Sequence, residues 1–417
     1  MEPLLFLGIV LLGGFLVGEL ADKVGLPKVT GYIAAGVLLN PGLFGFMPVR
    51  LLDQTQPVTN MALAFITFSV GGTVLFSRIR RLGKSVVLIT LFEAEFAFLA
   101  VIVGFAALAP VLLPGTAMPW LTLALPMALL AGALASPTDP SATLAVTHEY
   151  KAKGAVSSTI MSVAAFDDAL GIMNYSVAVA AAGALALHES FSFSQSVLAP
   201  LFSIAGAAVV GAAFAVVLNG ATRLFGRESE GYFIVLILGM LAACFGVARL
   251  LHVDELLATM SMGIVVVNTN RHQERIFGVL SRYTEQLIFV LFFTLSGMHL
   301  KFSALFASYW LVLLFVVMRA GGKFAGTAVG ARIGRAPAAV RKYAAGGFIP
   351  QGGIVIGLAL LMKQNPAFSR FADLLISLII GAAIIHELVG PILAKLVLTR
   401  AGETERARQE KEALKRK

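Results

Sequence analysis

Charge is what this sequence has least of. Of its 417 residues only 13% are charged, 32 basic and 23 acidic, against roughly a quarter in an ordinary soluble domain. That scarcity excludes a water-soluble globule of this size, which would need far more polar surface. A single cysteine, Cys244, excludes an intramolecular disulfide framework. The histidines show no metal-ligand spacing. No Gly-rich loop ending in Lys and Ser/Thr is present to cradle phosphates, so nothing points to ATP or to any other cofactor.

What fills the chain instead is hydrophobic sequence, 58% of it, in apolar runs of the length that crosses a bilayer as a helix. Charge clusters and Gly/Pro breaks divide it into about thirteen predicted spans: 4–21, 28–42, 58–77, 84–109, 118–147, 154–186, 196–222, 229–250, 253–268, 277–297, 304–330, 339–362 and 371–398. The expectation is an all-α polytopic membrane protein. The first run, Leu4 to Leu20, is too long for a signal-peptide core and follows Glu2 rather than basic residues, so it reads as a retained span.

The cations sort by loop. One alternate set of loops and the tail holds 24 Lys and Arg, from Lys23 and Lys28 through Arg341 and Lys342 to the seven that begin at Arg400; the other set holds 5. The positive-inside rule then places the N-terminus outside and the C-terminus in the cytoplasm. The net charge of +9 is thus an orientation signal that touches lipid, and no nucleic-acid partner is needed.

An odd number of spans allows spans 1–6 and 8–13 to form an inverted-topology repeat about span 7. Its expected mark is a pair of interrupted helices at matched positions. Span 5 carries Ser136-Pro137-Thr138-Asp139-Pro140 and span 12 carries Phe348-Ile349-Pro350-Gln351-Gly352-Gly353. Proline removes backbone donors and frees carbonyls, which membrane depth tolerates only against protein or a water-filled cavity. Two broken helices are therefore predicted.

Three cations lie outside the loop count: Lys395 near a helix end, and Arg319 and Lys323 deep in span 11. The deep acids are Glu93, Glu95, Asp139, Asp167, Asp168 and Glu387. A charge at the bilayer centre costs about 3 kcal/mol on insertion scales, so each needs a partner or a function. At 1.5 Å per residue, Asp139 and Lys323 lie about 12 Å and Asp167 about 20 Å from the cytoplasmic ends of their spans, converging near the midplane.

Asp167 and Asp168 are adjacent, about 100° apart around a helix, so one can face an ion path and the other a partner. Thr138 and Asp139 add hard oxygen ligands suited to a small cation. Lys323, which unlike arginine can lose its proton, is the expected ion-pairing group, with Arg319 one turn away as a structural counter-charge. Pro137, Pro140, Pro350 and Gln351 shape the breaks. Glu93 and Glu95, and Glu387 beside His386, read as interfacial or structural. The pattern suits exchange of a proton for a monovalent cation by a secondary transporter rather than an enzyme. An intramembrane aspartyl protease would need a Gly-x-Gly-Asp pattern that is absent, and Lys323 would spoil a shared-proton pair between Asp139 and Asp168. A channel or a sodium-coupled solute symporter would fit the same architecture, the latter with a wider cavity.

The elements Gly25-Leu26-Pro27, Gly31-Tyr32-Ile33-Ala34-Ala35-Gly36, Ser136-Pro137-Thr138-Asp139-Pro140, Phe166-Asp167-Asp168, Leu291-Phe292-Phe293, Ser296-Gly297-Met298 and Gly322-Lys323-Phe324 with Gly326 resemble, in that order, the membrane domain of the cation:proton antiporter-2 family. These are sodium/hydrogen exchanger-like proteins related to NapA and Kef. The resemblance implies a transmembrane domain over 1–400, made of a core with two broken crossing helices and a dimerisation part, followed by a short basic cytoplasmic tail over 401–417. It implies a homodimer in the plasma (bacterial inner) membrane, working by elevator-like alternating access in pH homeostasis. It also implies Na+ bound at Asp168, Asp139 and Thr138, with Asp167 paired to Lys323. The Asp-Asp pair is similar to the electrogenic branch, which exchanges two protons per sodium ion. The chain departs from Kef-type K+ efflux systems in having Asp167-Asp168 for Gln-Asp and a tail of about 17 residues. K+/H+ exchange is the alternative, and Li+ the other candidate ion.

Overall fold

Apolar sequence interrupted by prolines and glycines gives helices of very unequal length in the computed structural model of the chain. It describes residues 2–44, 47–112, 119–187, 198–225, 230–300, 309–352, 355, 356, 358, 359, 362 and 365–415. The described residues form helices joined by turns, with no strand among them. The principal helices are α1 (Pro3–Lys23), α2 (Lys28–Leu38), α3 (Gln56–Thr73), α4 (Phe76–Leu112), α5 (Leu125–Ala135), α6 (Pro140–Glu149), α7 (Ala155–Leu187) and α8 (Ala199–Phe225). They continue as α9 (Glu230–Leu250), α10 (Glu255–Thr269), α11 (Gln273–Tyr283), α12 (Glu285–His299), α13 (Tyr309–Ile333), α14 (Ala338–Tyr343), α15 (Ala372–Arg400) and α16 (Glu405–Lys415).

Among the described residues eight helical stretches are long and apolar enough to cross a membrane, or nine if α11 and α12, bent by 55°, count as one. Most of the thirteen predicted spans coincide with helix over their described residues. Span 339–362 is helical over Ala338–Tyr343 and a 3-10 turn but not over 349–352, and part of it lies outside the described residues. α2 and α10 are short apolar helices of 11 and 15 residues. At 1.5 Å per residue they rise about 16 and 22 Å, less than a hydrocarbon core of roughly 30 Å. Length alone therefore does not reproduce the predicted thirteen crossings.

The chain forms two compact units. The first comprises Met1–Arg81, Leu144–Glu149 and Phe202–Leu300; the second comprises Leu82–Thr143, Tyr150–Leu201 and Lys301–Lys417. In the first, glycines let helices touch through their backbones: Gly36 of α2 lies on Gly297 of α12, and Gly263 of α10 on the carbonyl of Phe68 in α3. A side chain at either position would force the pair apart. The Thr67 and Thr259 hydroxyls meet at 2.7 Å between α3 and α10, and the Asn40 amide donates to the carbonyls of Met298 (2.9 Å) and Leu300 (2.7 Å). α1 and α8 leave Leu4, Leu12, Leu16, Phe202, Val209 and Val216 exposed, an arrangement stable in lipid rather than in water.

The second unit is built on a core of Phe105, Met127, Leu130, Leu134, Phe315, Phe368, Leu375 and Leu378. Its site-bearing helix α7 is tied down at its start by the C-terminal segment. The Glu403 carboxylate accepts from the N–H groups of Val156 (2.7 Å) and Ser157 (2.8 Å), Lys153 N–H donates to the Glu403 carbonyl (2.9 Å), and Arg408 donates to the carbonyl of Lys151 (2.8 Å). Orphan donors at a helix start thus receive a negative charge where the helix dipole favours one. Glu403→Ala is expected to cost about 1 kcal/mol, the usual worth of a helix cap, and to speed amide exchange at Val156 and Ser157. Hydrogen-exchange mass spectrometry checks both against the rest of α7.

Candidate functional site

The second unit brings the two interrupted helices into direct contact. α5 ends at Ala135 and α6 begins at Pro140; between them the chain is non-helical. In the other segment a 3-10 turn, Ala344–Phe348, runs out into non-helical residues 349–352. Asp139 N–H donates to the Pro350 carbonyl at 3.0 Å. Each break also seats a proline on a glycine of a neighbouring helix, Pro137 on Gly171 of α7 and Pro350 on Gly390 of α15. A Cβ at either glycine would strike the proline ring.

A helix that stops inside a membrane leaves its last carbonyls without partners, and here three side chains take them in succession. Gln351 Nε2 donates to Leu134 (2.6 Å), Arg319 Nε to Ala135 (3.0 Å), Lys323 Nζ to Ser136 (2.5 Å) and Arg319 Nη2 to Pro137 (2.8 Å). On the second break Arg319 Nη1 donates to Ile349 (2.7 Å), and Thr143 Oγ1 donates to the carbonyl of Gly347 (3.2 Å). Arg319 is wholly buried. Its planar fork matches carbonyls on two segments at once, a geometry lysine lacks. The expectation of a counter-charge is thereby refined: the guanidinium serves the crossing of the breaks, with no carboxylate within 4.0 Å of it among the described residues.

One turn further along α13, Lys323 forms the charged centre. Its Nζ lies 2.5 Å from Glu93 Oε2 and 3.5 Å from Asp167 Oδ2, all three groups being completely buried. The same ammonium donates to Thr138 Oγ1 at 2.9 Å. Asp168, next on α7, is 6% exposed and is not among the partners of Lys323. Asp139 is half-buried, and its Oδ1 accepts from Ser141 N–H at 2.8 Å, capping α6. Its other oxygen lies against Gly352, where a side chain would overlap it. The expected pairing of Lys323 with Asp167 is therefore present, and its bond to the Thr138 hydroxyl is a further contact. Asp139 belongs to the break itself rather than to the lysine.

Glu93, read from the sequence as interfacial or structural and not as part of the ion site, is buried and holds the shortest ion pair of the centre. A signal for it exists in α13 and the residue that follows it. Gly322, Gly326, Gly330 and Gly334 line one stripe that rests on the backbone of α4 at Ala97, Phe92 and Glu93, Leu88 and Ser85, so the helix carrying Lys323 approaches α4 closely just at Glu93. His386, beside Glu387, also lies at this crossing. It is buried, with Nδ1 at 3.0 Å from Gln351 Oε1, and so supports the glutamine that takes the Leu134 carbonyl. Among the described residues no group of three His, Cys, Asp or Glu is placed to hold a metal ion.

The transmembrane sodium/hydrogen exchanger family model matches residues 7–400. The chain belongs to the sodium/hydrogen exchanger family. It is 28% identical over 216 residues to Na(+)/H(+) antiporter 1 of Methanocaldococcus jannaschii; that alignment takes in 49% of this chain and 44% of the relative, less than half its length. Two structures of a sodium proton antiporter from the same organism share the fold. One, at pH 8, has a TM-score of 0.69 and 20% identity, and the other a TM-score of 0.75 and 21% identity. Each superposition covers 96% of this chain and 98% of the other. As a member of the exchanger family the chain is a multi-pass membrane protein.

Proposed function

We propose that this exchanger moves protons against Na+ across the membrane, driven by the gradients alone. The observation that carries the reading is the buried centre itself. Glu93 and Asp167 flank one ammonium at the crossing of two broken helices, and Asp168 follows Asp167 on the same helix. Buried carboxylates in excess of cations are costly in a low dielectric, so the centre favours carrying a cation or a proton whenever it is closed off. A site that must hold one or the other, and not both, couples their movements.

In this reading Asp168 binds Na+ with help from Thr138 and Asp139. Lys323 exchanges partners among Asp167, Glu93 and the Thr138 hydroxyl as the ion arrives and leaves. Two carboxylates in α7 support an electrogenic exchange of two protons per sodium ion. The family resemblance of the motifs supports a homodimer in the plasma membrane serving pH homeostasis, and the charge sorting of the loops supports an N-terminus outside. The core carrying Asp139, Asp167, Asp168 and Lys323 lies in the second unit, and the first is the candidate dimerisation part.

In proteoliposomes an imposed Na+ gradient is expected to drive proton movement in the opposite direction, read with an internal pH dye. Asp168→Asn is expected to lower the rate by at least about a hundredfold, because removing its charge removes an interaction with the transported ion. Robust exchange by that variant would remove Asp168 from the ion site. A response to K+ equal to that to Na+ would assign the protein to K+/H+ exchange.

A further inference from the structure

Glu95 stands on α4 two residues from Glu93, about 200° around the helix, and takes no part in the centre just described. It is only half-buried and accepts from Asn174 Nδ2 at 3.1 Å. The same amide nitrogen lies 3.0 Å from Ser136 Oγ. Ser136, completely buried, is the residue whose carbonyl receives Lys323 Nζ. A continuous polar line therefore runs from half-exposed Glu95 and Asn174, through Ser136, to the buried lysine.

The register of α7 gives this line its direction. Asn174 follows Asp167 by seven residues, almost two full turns, so the two side chains leave the helix within about 20° of each other and about 10 Å apart along its axis. Asn174 lies toward the C-terminal end of α7, the outer side under the orientation proposed above. Membrane-embedded polar side chains that serve packing alone are expensive. A carboxylate, an amide oxygen and a hydroxyl within one hydrogen-bonded group supply the hard oxygen donors that a partly dehydrated alkali cation needs.

We propose that Glu95, Asn174 and Ser136 form a relay site, where the transported alkali cation is held on the outer side before it passes to the Asp167–Asp168 pair. The proposal rests on the antiport reading and adds to it an access step with its own residues. Glu95 supplies the charge that draws the cation out of bulk water. Asn174 is a positioning residue, which orients the Glu95 carboxylate and links it to Ser136.

The test measures exchange in right-side-out and inverted vesicles, so that Na+ is offered from each side in turn. Glu95→Gln and Asn174→Ala are each expected to raise KM for Na+ added outside about fivefold to tenfold, the worth of one charge-assisted contact. They should leave KM for Na+ added inside, and kcat, within about twofold. Glu95→Asp is expected to recover most of the outer affinity. Should Glu95→Gln fail to reach the membrane, Asn174→Ser carries the same sided comparison. An unchanged outer KM, or an equal rise on both sides, overturns the relay while leaving exchange by the wild type intact. Absence of Na+-driven proton movement in the wild type would instead bring down the antiport reading, and the relay with it.

Discussion

Arg319→Met is expected to destabilise the protein by about 3 to 5 kcal/mol, a large part of the 5 to 15 kcal/mol that typically separates folded from unfolded states. The guanidinium is wholly buried and its strongest bonds go to the carbonyls of Ala135, Pro137 and Ile349. Each carbonyl left without a donor costs about 1 to 3 kcal/mol, and methionine fills the space without supplying any. Arg319→Lys is the sharper variant. It keeps the charge but cannot fork across two segments, so it should recover less than half of the loss. Thermal unfolding in detergent, read beside Na+-driven exchange, checks both. A melting temperature unchanged in Arg319→Lys would show that charge alone holds the breaks together.

Lys323→Met is expected to be similarly damaging, for a different reason. It removes the one cation that Glu93 and Asp167 share and leaves two carboxylates buried without it, a situation that costs about 3 to 5 kcal/mol. The loss should be relieved by removing an acid as well. Because Glu93 lies at 2.5 Å and Asp167 at 3.5 Å from Nζ, Lys323→Met with Glu93→Gln should regain more than Lys323→Met with Asp167→Asn. Coupling energies between such neighbours run from about 0.5 to 3 kcal/mol. Melting temperatures of the three single variants and the two double variants give the two cycles directly. Equal recovery by both acids would mean that the lysine divides itself evenly between them. Exchange activity should stay lost in every variant lacking Lys323.

Much of this was legible in the sequence, because membrane burial makes polar residues conspicuous. The helical segments follow from uninterrupted apolar sequence. The breaks follow from Pro137, Pro140 and Pro350, and their crossing from the family resemblance. Depth places Lys323 and Asp167 together near the midplane, and the family resemblance implies their pairing. Neither marks out Glu93, since its depth resembles that of Glu95 and only the packing of α13 on α4 tells them apart. The Gly322, Gly326, Gly330 and Gly334 stripe announces a close helix contact but does not name the partner helix. Arg319 was visible as a buried charge, yet its partners are backbone carbonyls, which every residue carries and no sequence pattern marks. The tail read as a basic, lipid-touching segment. Its attachment through Glu403 to the start of α7 depends on a long-range contact that composition does not encode.

The crossing, the lysine and its two acids together describe a site that trades one small cation for another. The account stands most directly on whether Na+ binding displaces protons from the purified protein. Adding NaCl to the detergent-solubilised wild type in weakly buffered solution is expected to acidify the medium saturably, by one to two protons per chain. The same concentration of choline chloride should not, and Asp168→Asn should release none. Saturable Na+ binding without proton release in the wild type, or identical release by Asp168→Asn, would contradict it.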